Sequence, residues 1–217
     1  MVRRWISDIK VKTAEMSREQ AVEYVFTYYW YHILLTAIAL GLVILVIYHI
    51  GWGDKSKDFT CVLVNQRIDY DRDERIAEEF SKASGISKKK LAVDSDYLIS
   101  YDDVKIADAN ESSYEKFFFN WMAGEVDAVV MPESFYRYCK EQGGSYTCID
   151  EMLEEELPDD ENLFYEDGGE KVGIYVERTK LETAVIAEVQ DPLVLVFPAE
   201  SKHKKAGEKF AQFVLDL

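Results

Sequence analysis

Three apolar, strand-like segments of the chain are each followed by polar side chains that could bind a ligand. The segments are residues 59–64, 91–93 and 126–131. In open α/β sheets ligands bind outside the carboxyl ends of parallel strands, so polar residues at those positions are expected to converge. They predict a shallow site for a small polar solute, and the alternative is that they lie on solvated loops. The candidate ligand-binding residues are Asn65, Gln66, Arg67, Asp94, Asp96, Tyr97, Glu133 and Ser134.

A row of alternating acids, Asp69, Asp71 and Asp73, has the spacing with which a calcium loop begins. The sixth position of such a loop is Gly and the twelfth is Glu, whereas this chain has Glu74 and Phe80 there. We therefore predict that Asp71 or Asp73 caps the following helix, where an acidic side chain meets the positive end of the helix dipole.

The motifs of common enzyme classes are absent from the sequence. It contains no Gly-x-Ser-x-Gly elbow, no Gly-rich phosphate loop and no His-Glu-x-x-His pair. His203 stands in the run Ser-Lys-His-Lys-Lys, which indicates the exposed start of a helix. Since no Cys/His cluster is present either, we expect a non-catalytic protein without a metal centre or cofactor.

The chain has three cysteines, of which Cys139 and Cys148 could form a disulfide. The glycines between them, Gly143 and Gly144, allow the chain to turn back and bring the two thiols within bridging distance. Whether the bond forms depends on an oxidising compartment and is left open. Cys61 lies in an apolar run and is expected to be a small buried side chain.

Residues 28–52 have the length and composition of a membrane span. About 20 apolar residues cross a hydrocarbon core of roughly 30 Å, and residues 33–47 carry no charge. Tyrosine and tryptophan side chains flank the run at both ends, as they do at lipid headgroups. The bulky residues after it, Tyr48 to Trp52, favour an uncleaved anchor over a cleaved signal peptide. We predict a transmembrane helix over residues 28–52 that binds the lipid bilayer.

The charge distribution bears on orientation and on partners. The chain carries 41 Asp and Glu against 25 Lys and Arg, and all of the acidic excess lies beyond the apolar run. A domain this acidic is not expected to bind nucleic acid or an anionic lipid leaflet. A slight excess of basic residues before the run favours a cytoplasmic N-terminal segment, residues 1–27. We therefore expect a single-pass protein of the cell membrane with an extracytoplasmic domain, residues 54–217.

Strand-like and helix-like patterns alternate along that domain. Apolar strands joined by amphipathic helices predict an α/β fold: one three-layer lobe with a mostly parallel sheet and helices on both faces. We expect residues 59–64 to lie between the strands at 91–93 and 126–131, and Phe117 and Trp121 to be core residues. Further strands are expected at residues 172–177 and 193–197, and helices at residues 72–84, after Ser112, after Pro132 and at residues 202–215.

Two passages of the domain carry a resemblance to a known family. The first runs from Phe117 to Met131, with Ala-Gly-Glu-Val-Asp between a helix and an apolar strand, and continues through a helix to Gly144 and Asp150. The second is an apolar strand, residues 191–197, followed by a helix over residues 201–215. Both resemble bacterial extracellular solute-binding proteins of ABC importers. The resemblance implies a periplasmic-binding-protein-like lobe and an ABC-type transporter or another envelope protein as partner.

Solute-binding proteins trap their ligand between two lobes, whereas the segment between Asp150 and Asp191 is too short for a second lobe. The resemblance therefore implies a single truncated lobe behind a membrane anchor. Such a protein could be a binding module that holds a small polar solute or presents it to a transporter. The alternative is an envelope structural or protein-interaction protein with a vestigial pocket. A concave polar surface after the parallel strands would favour the binding module.

Overall fold

The structure is a computed structural model that describes residues 11–14, 16–52, 57–153, 157–158, 160–181 and 191–217. Contacts divide the chain into two compact units, Met1–Lys55 and Ser56–Leu217. The first unit contains a long helix, and the second is an α/β domain.

Helix α1, Arg18–Trp52, is the one helix of the described residues that is long and apolar enough to cross a membrane. At about 1.5 Å per residue, it is longer than the roughly 30 Å hydrocarbon core of a bilayer. Its central apolar side chains are exposed on every side, without the polar stripe of a helix that packs on a soluble core. The helical prediction is confirmed. Length and composition fit a membrane anchor and a signal sequence equally, and they do not fix an orientation.

The α/β domain alternates strands with helices, as the pattern of apolar residues predicts. The strands are β1 (Phe59–Val64), β2 (Leu91–Tyr97), β3 (Ala128–Pro132), β4 (Phe164–Asp167), β5 (Glu170–Tyr175) and β6 (Leu193–Val196). The helices are α2 (Tyr70–Ser84), α3 (Glu111–Met122), α4 (Glu133–Glu141), α5 (Ile149–Met152) and α6 (Lys204–Leu215).

The six strands form one sheet in the order β2-β1-β3-β6-β5-β4. β1 pairs in parallel with β2 and with β3, which confirms the predicted parallel group with residues 59–64 in the middle. The remaining three pairings are antiparallel, so the sheet is mixed and not mostly parallel. One reason is the turn Gly168-Gly169, in which both residues have positive φ. A two-residue turn joins β4 to β5, and it can connect only antiparallel neighbours.

Helices cover both faces of the sheet, which confirms the three-layer arrangement. Successive strand side chains point to opposite faces, so β1 contributes Cys61 and Leu63 to one hydrophobic cluster and Val62 and Val64 to the other. The first cluster, the α2/α6 face, includes Ile76, Ala77 and Phe80 of α2 and Ala206, Phe210, Ala211 and Val214 of α6. The second, the α3/α4 face, includes Phe117 and Trp121 of α3 and Phe135, Tyr136 and Cys139 of α4.

The residue that caps α2 is not one of the two that the sequence predicts. Asp69, and not Asp71 or Asp73, caps α2, because its Oδ1 accepts the backbone N–H of Arg72 at 3.0 Å. This backbone hydrogen bond lowers the pKa of Asp69. Asn110 caps α3 in the same way, through the N–H of Ser113 at 2.7 Å. In both helices a short polar side chain satisfies an N–H that has no partner within the helix.

Candidate functional site

The strands β1, β2 and β3 end side by side, and we call this end of the sheet the carboxyl edge. Parallel pairing puts Val64 of β1 opposite Tyr97 of β2, and β3 ends beside them at Pro132. The three segments that hold the predicted binding residues are therefore neighbours. Their side chains nevertheless differ in what they contact.

Asn65 is a structural residue of the carboxyl edge. Its side chain is buried, its Oδ1 accepts the backbone N–H of Ile99 at 2.7 Å, and its Nδ2 donates to the Ile99 carbonyl at 3.0 Å. Its own N–H donates to the Tyr97 carbonyl, and its φ of 55° is one that asparagine tolerates better than most residues. Both polar atoms of the Asn65 amide are hydrogen-bonded to the backbone of Ile99, so Asn65 fixes the loop after β2.

Asp94, Asp96 and Tyr97 belong to β2 itself and not to the loop after it. Asp94 forms an ion pair with Lys116 of α3 at 3.0 Å, and Lys116 Nζ lies 4.3 Å from the centroid of the Tyr97 ring. Asp94 Oδ1 also accepts the backbone N–H of Asp96. Burial raises the pKa of Tyr97, whose hydroxyl stays protonated. Asp94 and Tyr97 therefore tie β2 to α3.

Glu133 and Ser134 form the first turn of α4 and are engaged by their neighbours. Ser134 donates its backbone N–H to Asp191 Oδ2 at 2.7 Å, and its hydroxyl shares a 2.6 Å hydrogen bond with Tyr101. Glu133 pairs with Arg137 one turn later in the helix. Burial raises the pKa of Tyr101. Sequence reasoning missed Asp191 because it lies far along the chain from the helix whose N-terminus it binds.

A cavity of about 260 Å³ opens at the carboxyl edge between the segments after β1 and β2. Of the predicted residues, Gln66 and Arg67 line it and the other six do not. Sequence reasoning missed the opposite wall, which comes from the segment after β2 and carries no recognisable motif. Its four residues are Leu98, Ile106, Ala107 and Asp108. The cavity is lined by Gln66, Arg67, Ile68, Leu98, Ile106, Ala107 and Asp108.

Gln66 is the least expected residue of this cavity. It is 0% exposed, and its Nε2 donates to the Val64 carbonyl at 3.1 Å. Its Oε1 is buried and has no hydrogen-bond partner among the described residues. Buried polar atoms are almost always paired, so an unpaired acceptor beside a cavity calls for an explanation.

A buried ion pair lies at the start of α2, close to the same edge. Arg72 and Asp73 are 2% and 4% exposed, and the Nε and Nη2 of Arg72 donate to Asp73 Oδ1 at 3.1 and 3.0 Å. Asp73 Oδ2 accepts the backbone N–H and the hydroxyl of Ser95 in β2, at 3.0 and 2.5 Å. Both carboxylate oxygens are therefore engaged in holding α2 to β2, and Arg72 Nη1 is left without a described partner.

A second constellation lies at the opposite end of the sheet, where β1 and β3 begin. His203, predicted to be exposed, is only partly exposed, and its Nδ1 lies 3.2 Å from both oxygens of the buried Asp127. Asp127 also accepts the Ser201 hydroxyl at 2.6 Å and the Thr60 N–H at 2.8 Å. Because the Ser201 hydroxyl donates to the carboxylate and not to the imidazole, the group lacks the order of a nucleophilic triad. It joins β1, β3 and α6.

The cavity beside this second group is larger, about 350 Å³, and is lined by Asp127, Ser201, Lys204 and Lys205 among others. Its buried polar side chains, Asp127 and Ser201, already have hydrogen-bond partners. The smaller cavity at the carboxyl edge is lined by Gln66, whose buried Oε1 has no partner among the described residues, so we take this cavity as the candidate site.

The three cysteines are free thiols in the structure, so the candidate Cys139–Cys148 bridge is not formed there. Cys139 lies within the α3/α4 face. Cys148 follows Thr147, whose backbone N–H donates to the Phe197 carbonyl just after β6. The next residue, Ile149, packs in the α2/α6 face on the other side of the sheet. Cys61 is buried in β1, as predicted.

Comparison of the chain with family models, curated proteins and solved structures finds no match. The resemblance to solute-binding proteins therefore depends on the two passages quoted above and on where the structure places them.

Proposed function

We propose that the protein is a membrane-anchored, non-catalytic binding module, related to solute-binding proteins, that holds a small polar solute at the carboxyl edge. Helix α1 is its anchor, with the N-terminus in the cytoplasm and the domain Ser56–Leu217 outside. The partner that receives the solute is an ABC-type transporter or another envelope protein.

One observation carries the proposal: Gln66, whose buried Oε1 has no partner among the described residues, lines a cavity between the ends of two parallel strands. Leaving a buried acceptor unpaired costs about 1–3 kcal/mol, and a ligand N–H or O–H that reached this atom would recover that energy. The remainder of the carboxyl edge is filled by the hydrogen bonds of Asn65 and of Tyr101 with Ser134. Those side chains are occupied, so the cavity is the place at this edge that we assign to a small ligand.

The placement of the two family-like passages supports the proposed relationship. The first passage forms the unit α3–β3–α4, and the second forms β6–α6. Their strands are neighbours, because all four residues of β6 pair with β3. Two passages that are distant in sequence thus form one continuous part of the domain.

The test is a thermal-shift screen of the full-length protein in detergent micelles against amino acids, sugars, oligopeptides and divalent cations. A solute present at 100 times its dissociation constant should stabilise the protein by about 2.7 kcal/mol. The same solute should stabilise the variant Gln66→Leu much less, and the control Asp96→Asn, an exposed residue outside the cavity, as much as the parent. A screen in which no solute raises the melting temperature would count against the proposal.

A specific observation favours the second candidate, a protein-interaction role in the envelope. Phe119 and Met122 are 70% and 74% exposed on the outer face of α3. Beside Met122 lies a cavity of about 250 Å³ that Trp121 and Gly143 help to line. Large apolar side chains exposed next to a cavity are typical of protein contacts. A photo-crosslinker at position 119 that captures one membrane protein, while one at the exposed position 115 does not, would favour this role.

A further inference from the structure

We infer that the end of the sheet where β1, β2 and β3 begin docks on the anionic phospholipid headgroups of the leaflet from which α1 emerges. We call this end the amino edge. The inference rests on the proposed anchor α1 and not on the solute of the carboxyl edge. It adds a second contact with the membrane, made by the folded domain.

Lysines from segments that are distant in sequence meet at the amino edge. The turn just before β2 consists of three consecutive lysines, Lys88–Lys90. The start of α6 carries Lys202, Lys204, Lys205 and Lys209. These four side chains and Asp58, the residue just before β1, line one wide depression of about 690 Å³. The lysines thus form a continuous basic face around the point where the chain enters the domain.

Most of these ammonium groups are not neutralised by the protein. Lys89, Lys204 and Lys205 are exposed and form no ion pair within the part of the chain that the structure describes. Lys57 and Lys209 donate to the backbone carbonyls of residues 89 and 84, at 3.1 and 3.0 Å, which fixes their positions and leaves their charges. A lysine ammonium binds phosphate as a point charge, without the fork of donors by which arginine reads one geometry. The face therefore suits anionic lipid in general and not one particular headgroup.

Acidic residues lower the positive charge of the amino edge without cancelling it. Asp58, Glu125 and Glu74 each pair with a lysine there, at 2.8, 2.6 and 2.6 Å. Glu151 and Glu208 line the cavity beside the start of α6. The domain as a whole is acidic, but in physiological salt a charge acts over about 8 Å, so the headgroups respond to the face that meets them. The acidic excess of the domain therefore does not prevent docking by this face.

The chain itself keeps the amino edge close to the bilayer. α1 ends at Trp52 and β1 begins at Phe59, so residues 53–58 join them. Even a fully extended chain places these two Cα atoms at most about 25 Å apart. The backbone N–H of Asp58 donates to the Lys90 carbonyl at 2.7 Å, which fixes the end of this connection to the lysine turn. With Trp52 at the headgroup level, the short tether raises the effective concentration of the lysines at the lipid surface.

The experiment measures lysine acetylation in the full-length protein, with one copy in each lipid nanodisc. One set of discs contains phosphatidylcholine alone, and the other contains equal parts of phosphatidylcholine and phosphatidylglycerol. Mass spectrometry gives the rate at each lysine. We expect Lys204, Lys205 and Lys209 to react at least threefold more slowly in the anionic discs, and high salt to remove this difference. Lys105, an exposed lysine after β2 at the other end of the sheet, should react equally in both. Equal rates for the amino-edge lysines in the two discs would overturn the inference.

A charge-reversal variant gives the second arm. In the double variant Lys204→Glu, Lys205→Glu, the remaining lysines Lys89 and Lys209 should react at the same rate in both discs, because the face is no longer basic. The control Lys105→Glu reverses an exposed charge at the carboxyl edge and should leave the protection of Lys209 unchanged. All of these side chains are exposed, and circular dichroism checks that the variants are folded. Protection of Lys209 that persists in the double variant would contradict docking by this face.

The outcomes separate this contact from other contacts and from the anchor. Protection that requires two copies in one disc, in neutral as in anionic lipid, would assign the amino edge to the acidic surface of a second copy and overturn the inference. If the extracted protein lacks residues 1–52, the anchor and the docking fail together. If α1 is present and the rates in the two discs are equal, the docking fails and the anchor stands.

Discussion

At the scale of single residues, the buried carboxylate of Asp73 accepts four hydrogen bonds, two of which hold α2 to β2. Two guanidinium nitrogens and two groups of Ser95 donate to Asp73, and the pair is almost fully removed from water. A buried ion pair adds little stability compared with apolar residues of the same size, but the removal of one partner leaves an uncompensated buried charge.

We predict that Asp73→Ala lowers the free energy of unfolding by about 3–5 kcal/mol, because it leaves the Arg72 guanidinium buried and unpaired. Urea denaturation followed by circular dichroism measures the change. The double variant Arg72→Met, Asp73→Leu should recover most of the loss, and Glu79→Ala, an exposed change in the same helix, should leave stability unaltered. An Asp73→Ala variant as stable as the parent would show that the pair is not buried in solution.

The thiols differ in reactivity for a physical reason. Burial raises the pKa of the Cys61 and Cys139 thiols well above the ordinary range, whereas Cys148 is only partly buried. Since the thiolate is the nucleophile, the reduced native protein at pH 8 should react with iodoacetamide at Cys148 alone, and the denatured protein at all three. Peptide mass spectrometry locates the label. Rapid native labelling of Cys61 would be the contrary result.

The same labelling tests whether Cys139 and Cys148 form the disulfide that the sequence leaves open. If the Cys139–Cys148 bridge forms in the cell, protein purified without reductant and then denatured will react at Cys61 alone. Labelling of all three cysteines in that sample would mean that the thiols remain free, as they are in the structure.

At the scale of elements, α3 has two faces with different roles. Trp121 is 5% exposed, its ring packs against Phe117 and Tyr146, and its Nε1 donates to Glu200 at 3.2 Å. Phe119, two positions earlier, points outward. The helix thus supplies one large apolar side chain to the core and another to the surface, within a single turn.

We predict that Trp121→Ala lowers the free energy of unfolding by about 3–5 kcal/mol, because it deletes a large buried ring. Phe119→Ala is the matched control, and as a surface change it should alter stability by no more than about 0.5 kcal/mol. Thermal or urea unfolding of the two variants gives the comparison. A Trp121→Ala variant that melts like the parent and loses ligand binding would assign Trp121 to a binding site.

Elements with continuous apolar runs were predictable from the sequence, and elements set by turns were not. β1 and β3 stand out as uninterrupted apolar segments, and the parallel order followed from the helices between them. β4 was missed because its Phe-Tyr-Glu-Asp sequence lies in an acidic stretch. The Gly168-Gly169 turn was the available signal, because two glycines between strand-like segments favour a hairpin.

The candidate site was predictable only in part, for a related reason. Gln66 and Arg67 follow directly from the end of β1, so their position required only the strand. Leu98, Ile106 and Asp108 come from a loop whose path is set by tertiary contacts, such as the Asn65–Ile99 hydrogen bonds. Sequence also could not show that Asn65 supports this loop whereas Gln66 lines a cavity, since both are amides after the same strand.

At the scale of the whole molecule, the attachment of α1 to the domain decides whether the protein is anchored to the membrane or released from it. We predict that the full-length protein remains in the membrane pellet after carbonate extraction, because the uninterrupted apolar helix partitions into lipid. Intact-mass measurement of the extracted protein should show residues 1–52 still present. A variant that lacks residues 18–52 serves as control and should appear in the supernatant. A mature N-terminus near residue 53 would identify α1 as a cleaved signal.

The position of β6 in the sheet has a consequence for biosynthesis. β6 follows the other described strands in the sequence, yet it fills the place between β3 and β5. Until it emerges, those two strands present unpaired edges, and incomplete sheets with open edges are prone to aggregate. The sheet therefore cannot close until β6 has been synthesised. Until then, the nascent domain needs protection from aggregation, by a chaperone or by fast synthesis of the segment that contains β6.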